Sequence, residues 1–320
     1  ESSGLAAEVG ESVDQFRGGL ASLGVAKGDK VAIIANNSPQ WAVAAYATYG
    51  LGAQYVPMYE AQLPKDWKYI LNDSGAKVLL VSTEEIYEAT KGFVDEVESL
   101  EHVVHLGGTS DDASTYPGLK AIGAANPVPS VQPSRDDICG FIYTSGTTGE
   151  PKGVLLSHWN LVSNINAVHT FFPMESNDVS LSFLPWAHSF GQTCELHCMV
   201  SYGAAIGLAV SVATIIENLP EVKPTLLFSV PRIFNRIYDG VHKKMTAAGG
   251  VKLKLFNATM NAATKKRELA ERGTSSALLD LRHALLDKVA PRLQRHILGE
   301  TDSEIVFFII LSQLASYGPL

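Results

Sequence analysis

The 320 residues are 46% hydrophobic and 18% charged, with a mean hydropathy of +0.09, which is enough apolar material for a substantial core and excludes a disordered chain. A formal net charge of −8 and a sequence pI near 5.6 leave little attraction for a polyanion, so a nucleic-acid partner is not expected and any phosphate must be held locally.

The chain begins ESSGLAAEVG, without Met, basic n-region or apolar h-region, so no secretory signal is visible and the true N-terminus is expected upstream. Val9, Val13, Phe16, Leu20 and Leu23 recur at helical spacing and draw one apolar stripe down a helix ending at Gly24. A strand over 31–34 follows, then Asn36, Asn37 and Ser38 lead into a helix over 41–49. Residues 54–57, 77–82 and 103–106 read as further strands, separated by helices near 65–71 and 84–97, which is α/β layering. Residues 107–136, rich in Gly and Pro, read as a long solvated connection. Nothing like a flexible linker or a fixed-period repeat interrupts the chain, which reads as one compact unit.

Between two more apolar runs, 138–143 and 154–156, stands YTSGTTGEPKGV at 143–154. Gly146, Gly149 and Gly153 allow close-approach backbone that points several N–H groups at one anion. Thr144, Ser145, Thr147 and Thr148 add hydroxyl donors, and Lys152 adds a mobile positive charge. The fit is to a phosphate chain, although an ordinary Gly/Ser/Thr-rich turn has the same composition. A Walker A loop requires G-x-x-x-x-G-K-[ST] before a helix; here Pro151 stands five residues after Gly146, Gly153 follows Lys152, and the downstream element reads as strand.

The run 197–216 is uncharged and long enough to span a bilayer, but Ser201, Tyr202, Gly203, Gly207, Ser211 and Thr214 punctuate it, so a buried strand and turn is expected. The histidines show no metal-binding spacing, and Cys139, Cys194 and Cys198 form neither a disulfide framework nor a Cys-x-x-Cys pair. No metal site is assigned, and the odd cysteine count fits a reducing, cytoplasmic setting, with peripheral membrane association left open.

YTSGTTGEPKGV closely resembles the phosphate-binding signature of AMP-forming adenylating enzymes, the superfamily of acyl-CoA synthetases, luciferase and peptide-synthetase adenylation domains. LGVAKGDKVAIIANNSPQWAVAAYATYGLGAQYVPMY at 23–59, LSHWNL at 156–161 and FLPWAHSFGQTCEL at 183–196 look like the segments around it. KPTLLFSVPRIFNRIYDGV at 223–241 is most similar to long-chain fatty acyl members. The resemblance implies the layered α/β large N-terminal domain of that fold, spanning residues 1–299, with 300–320 a divergent tail.

It further implies that a carboxylate attacks the α-phosphate of Mg-ATP, giving acyl-adenylate and pyrophosphate, before coenzyme A displaces AMP. ATP, Mg²⁺ and coenzyme A are the implied cofactors and a fatty acid the implied substrate. Thr144, Ser145, Gly146, Thr147, Thr148, Gly149 and Lys152 would grip the nucleotide. Lys152 and His188 are the candidate catalytic residues, and Trp186 and His188 the candidate acyl-side residues, with Phe190 a further tunnel candidate. Large aromatics at that spacing are also ordinary core, and Arg232 is read as a brace at a sheet edge.

The resemblance stops after 288–299. Residues 300–320 lack the expected Gly-rich nucleotide loop, and with it the magnesium glutamate, the ribose aspartate and the small C-terminal domain of the family. Two readings stand: most of the large domain of a long-chain acyl-CoA synthetase, or a noncatalytic remnant with at most weak nucleotide binding. A ligase for medium-chain or aryl acids is open within the first.

Overall fold

Runs that are apolar on both alternating faces, such as VAII at 31–34 and VLLV at 78–81, suit strands covered by helices on two sides. In the computed structural model, which describes residues 2–144, 150–172, 174–250 and the isolated positions 253, 254, 257 and 261, these are β1 (Lys30–Ile34) and β3 (Val78–Val81). With β2 (Gln54–Met58), β4 (His102–His105), β5 (Ile138–Thr144) and β6 (Lys152–Ser157) they form one sheet in the order β4-β3-β1-β2-β5-β6. All neighbouring strands pair in parallel except β5 and β6, which are antiparallel.

The connecting helices are α1 (Ser2–Ser22), α2 (Pro39–Gly50), α3 (Pro64–Ser74), α4 (Glu84–Thr90), α5 (Tyr116–Ala125) and α6 (His158–Phe171). Side-chain alternation assigns the sheet faces. Ala32, Ile34, Val56, Met58, Leu79 and Val81 pack with Trp67, Ile70 and Leu71 of α3 and Ile86 of α4, while Tyr55 meets Trp41 of α2 edge-on at 5.0 Å. The chain therefore leaves β1 toward one face and β2 toward the other. β3 likewise leaves toward the face of α3 and α4, so in the order β4-β3-β1-β2 the crevice between the carboxyl ends of β1 and β3 is the switch point at which parallel sheets hold ligands.

Four expectations need correction. The stretch 107–136 is not all loop, because it contains α5, with Thr115 Oγ1 accepting from Gly118 N at 3.3 Å, a proline in the first turn and Leu119 fully buried. Proline and glycine, read as loop signals, here start a helix and allow close packing. The stripe of α1 is buried at Phe16 and Leu20 but exposed at Val9, and the helix expected over 84–97 ends at Thr90 and continues as a 3₁₀ turn, Lys91–Asp95. The run 197–216 opens in helix, not strand: a π-helix (Gly191–His197) passes directly into α7 (Cys198–Tyr202) before β8 (Ala205–Leu208).

The chain also divides into two compact units where one was expected. The first is Glu1–Val168 with Leu184–Gly203, and the second is His169–Phe183 with Ala204–Leu320. No change of composition marks the crossings. Within the second unit, β7 (Val179–Ser182) pairs in parallel with β8, and α8 (Ile215–Val222) and α9 (Pro231–Ala248) follow. Thr225 ties this start together, its Oγ1 donating to Asp178 Oδ1 at 2.7 Å and accepting from Val179 N at 2.9 Å. Arg232 lies exposed in the first turn of α9, not at a strand end. The segment 288–320, including the strand read over 305–311, lies outside the described residues.

Candidate functional site

The signature stretch spans a hairpin. β5 and β6 pair Tyr143 with Gly153 and Thr144 with Lys152, so the Gly-rich loop leaves and re-enters the sheet between two exposed side chains, Thr144 and Lys152. The element that follows the signature is a strand, not the helix of a P-loop, in agreement with the sequence. Ser145, Gly146, Thr147, Thr148 and Gly149 lie outside the described residues.

The root of the loop is braced from beneath. Tyr143 is buried and its Oη donates to Asp73 Oδ2 of α3 at 2.7 Å. Burial first, and the Asp73 carboxylate second, push its phenol far above the ordinary range, so it remains a donor. Gly153 lies over this ring: a Cβ there would stand 3.0 Å from Tyr143 Cζ. The glycine is needed for the close approach of ring and strand.

The second motif, 183–196, opens in a turn about residues 185–188 that is held by its neighbours in the fold. Trp186 is 2% exposed, its ring tilted against Trp41 at 5.5 Å, so it is a core residue of the first unit. His188 is exposed; its backbone N donates to Pro185 O at 3.0 Å, and its Nδ1 accepts from Phe190 N at 3.2 Å. An Nδ1 that accepts a backbone N–H places the ring proton of the neutral imidazole on Nε2, which makes Nε2 a donor.

The segment after the first motif meets the later part of the second. A cleft of about 280 Å³ is lined by Leu156 of β6, Leu161 and Asn164 of α6, and Phe190, Thr193 and Cys194 beyond His188. Phe190 therefore borders open space, whereas Trp186 does not. The π-helix forming one wall is a rare geometry enriched at functional sites. Behind it His197, 5% exposed, shares a hydrogen bond of 2.9 Å between its Nδ1 and Tyr46 Oη, and burial pushes its pKa down to about 4. The thiols of Cys139, Cys194 and Cys198 are unpaired with one another, and burial raises each pKa, so they behave as small hydrophobes. Among the described residues no group of three His, Cys, Asp or Glu side chains is placed to hold a metal ion.

Two polar residues that the sequence did not single out complete the frame. Asn37 Nδ2 donates to Leu184 O and its Oδ1 accepts from Trp186 N, both at 2.8 Å. Glu60 accepts from Asn36 N at 2.8 Å and Ser82 Oγ at 2.6 Å, joining the ends of β1, β2 and β3. The signal was available: polar NNS directly after a buried strand marks the carboxyl edge of the sheet.

A family model described as AMP-binding enzyme matches residues 6–286. Long chain acyl-CoA synthetase 6, peroxisomal, of Arabidopsis thaliana is 31% identical over 298 residues, covering 89% of this chain and 42% of that protein. Long-chain-fatty-acid–CoA ligase FadD15 of Mycobacterium tuberculosis is 31% identical over 304 residues, covering 90% of this chain and 49% of that protein. The crystal structure of a long-chain-fatty-acid-CoA ligase (FadD1) from Archaeoglobus fulgidus matches with a TM-score of 0.66 at 26% identity, over 74% of this chain and 46% of that one. The chain thus spans less than half the length of each of these relatives.

Proposed function

Because the chain belongs to the AMP-binding enzyme family, its match running over residues 6–286, we propose that it supplies the ATP- and acyl-binding part of an AMP-forming long-chain acyl-CoA synthetase. The observation that carries this reading is the hairpin bearing YTSGTTGEPKGV, with Thr144 and Lys152 paired at its mouth. We take residues 1–299 as the AMP-binding domain and 300–320 as a divergent tail.

Adenylation brings a carboxylate against the triphosphate of Mg-ATP, so charge neutralisation and orientation are the main demands on the protein. Lys152, with Thr144, Ser145, Thr147 and Thr148 and the backbone N–H groups about Gly146 and Gly149, would orient the β- and γ-phosphates and steady the departing pyrophosphate. The Nε2 donor of His188 would meet the acyl carboxylate, with the Phe190 side of the cleft receiving the chain and Trp186 acting from the core behind. Coenzyme A then takes the acyl group from AMP. No helix among the described residues is long and apolar enough to cross a membrane, and the unpaired cysteines support a cytoplasmic place of work, with peripheral membrane association compatible with the substrate.

The test is ATP–pyrophosphate exchange driven by palmitate, octanoate or benzoate, run on the 320-residue chain and on the full-length natural protein. Palmitate-dependent exchange by the natural protein is expected. Exchange driven only by octanoate or benzoate replaces the long-chain assignment, and no exchange with any acid leaves the noncatalytic remnant as the function.

A further inference from the structure

The turn after β1 does more than link two elements. It stands at the switch point of the sheet and is itself fixed: Asn36 donates through N and Nδ2 to the two oxygens of Glu60, at 2.8 and 2.5 Å. Ser38 Oγ caps α2 by accepting from Trp41 N at 3.1 Å. Between these anchors Asn37 projects its amide across about 150 residues of sequence to the second motif, donating to Leu184 O and accepting from Trp186 N. One carboxamide thus pairs with a peptide segment from both sides, as a neighbouring strand would. The Trp186 ring is fixed independently on Trp41 at 5.5 Å.

Two residues beyond this clamp the chain turns and presents His188. The turn is short and internally bonded, through His188 N to Pro185 O at 3.0 Å and Gln192 N to His188 O at 3.0 Å. A rigid turn transmits the position of its root to its tip. A misplacement of about 1 Å at a reacting centre costs on the order of 100-fold in rate.

We propose that Asn37 is a positioning residue for adenylation, its side-chain amide holding the 184–186 backbone so that His188 Nε2–H meets the acyl carboxylate. The inference rests on the function proposed above. Asn37 touches neither reactant, and its effect passes through His188.

The experiment compares Asn37→Ala and Asn37→Asp, each alone and combined with His188→Ala, in the full-length natural protein by acid-dependent ATP–pyrophosphate exchange. Asn37→Ala is expected to lower kcat about 10- to 100-fold, with KM for ATP within about twofold. In the His188→Ala background the same change is expected to cost less than about threefold, because both act through one group. Asn37→Asp accepts from Trp186 N but repels Leu184 O until its carboxyl is protonated, so its activity relative to wild type is expected to rise from pH 8 to pH 5. Should Asn37→Ala fail to fold, the pH profile of Asn37→Asp alone decides. Equal losses in both backgrounds, an unchanged kcat, or a flat relative pH profile overturns the proposal while wild-type activity keeps the function. A wild type without exchange overturns both.

Discussion

Tyr143 Oη donates to Asp73 Oδ2 over 2.7 Å, so the last buried residue of β5 before the Gly-rich loop is fastened to α3 on one face of the sheet. Gly153, the residue paired with Tyr143, lies against the same ring. The connection between β5 and β6 therefore springs from a base fixed by packing and by one hydrogen bond to a carboxylate. Removing the bond with Tyr143→Phe leaves the Asp73 carboxylate without its donor. A stability loss of about 1–2 kcal/mol is expected in urea unfolding, together with a raised KM for ATP. An unchanged KM would limit the bond to folding.

Lys152 stands exposed at the other root of that loop, and among the described residues it has no carboxylate partner. The phosphate grip proposed above requires a cation at this position. Lys152→Ala is expected to reduce pyrophosphate exchange by about 100- to 1,000-fold, the loss of one preorganised donor, with Lys152→Arg retaining part of it. Stability should be unaffected, since an exposed lysine contributes little to folding. Exchange at the wild-type rate in Lys152→Ala would remove the residue from the phosphate site.

Much of this was readable from local pattern. The strands of the parallel sheet announce themselves as short runs apolar on both faces, and the hairpin as two such runs about a Gly-rich turn. What the sequence hid depends on partners distant in the chain. Pro117, Gly118 and Gly123 are breakers out of context and point to loop, yet in α5 Pro117 occupies a first helical turn and the glycines meet other backbones. Asn37 and Asp73 looked like ordinary polar turn and helix residues, because nothing local predicts a bond to Leu184 or Tyr143. The π-helix leaves no local sign, because its register has no distinct apolar period.

The contact of α1 with α5 gives a sharp test of that correction. A Cβ on Gly123 would stand 1.8 Å from Gln15 O and 2.4 Å from Gly19 N, so the two helices touch backbone to backbone. Gly123→Ala must push them apart, and a loss of about 3 kcal/mol or more is expected in urea unfolding. Gly10, on the same α1, has nothing within 4 Å of its would-be Cβ; Gly10→Ala is expected to stabilise by up to about 1 kcal/mol through helix propensity. Similar values for the two substitutions would mean that α5 does not pack on α1.

The buried imidazole of His197 predicts how the first unit responds to acid. Burial lowers its pKa from 6.5 to about 4, and the groups that face it, Tyr46 and Tyr49, are phenols that burial keeps protonated, so neither supplies a charge. Above about pH 6.5 the ring is neutral in the folded and unfolded chain alike. Between there and about pH 4 only the unfolded chain takes up the proton, so stability is lost as pH falls through that window and levels off below it. The loss from this one group is expected to be about 2 kcal/mol between pH 7 and pH 5, approaching about 3 kcal/mol below pH 4. His197→Asn keeps a hydrogen-bonding amide beside Tyr46 Oη but no titrating ring, and is expected to flatten that part of the profile. Trp41, Trp67, Trp159 and Trp186, the four tryptophans of the chain, all belong to the first unit, so tryptophan fluorescence during urea unfolding reads its stability directly. An identical pH dependence in wild type and His197→Asn would mean that the folded ring accepts a proton as readily as a solvated one, and that the pocket around Tyr46 is open to water.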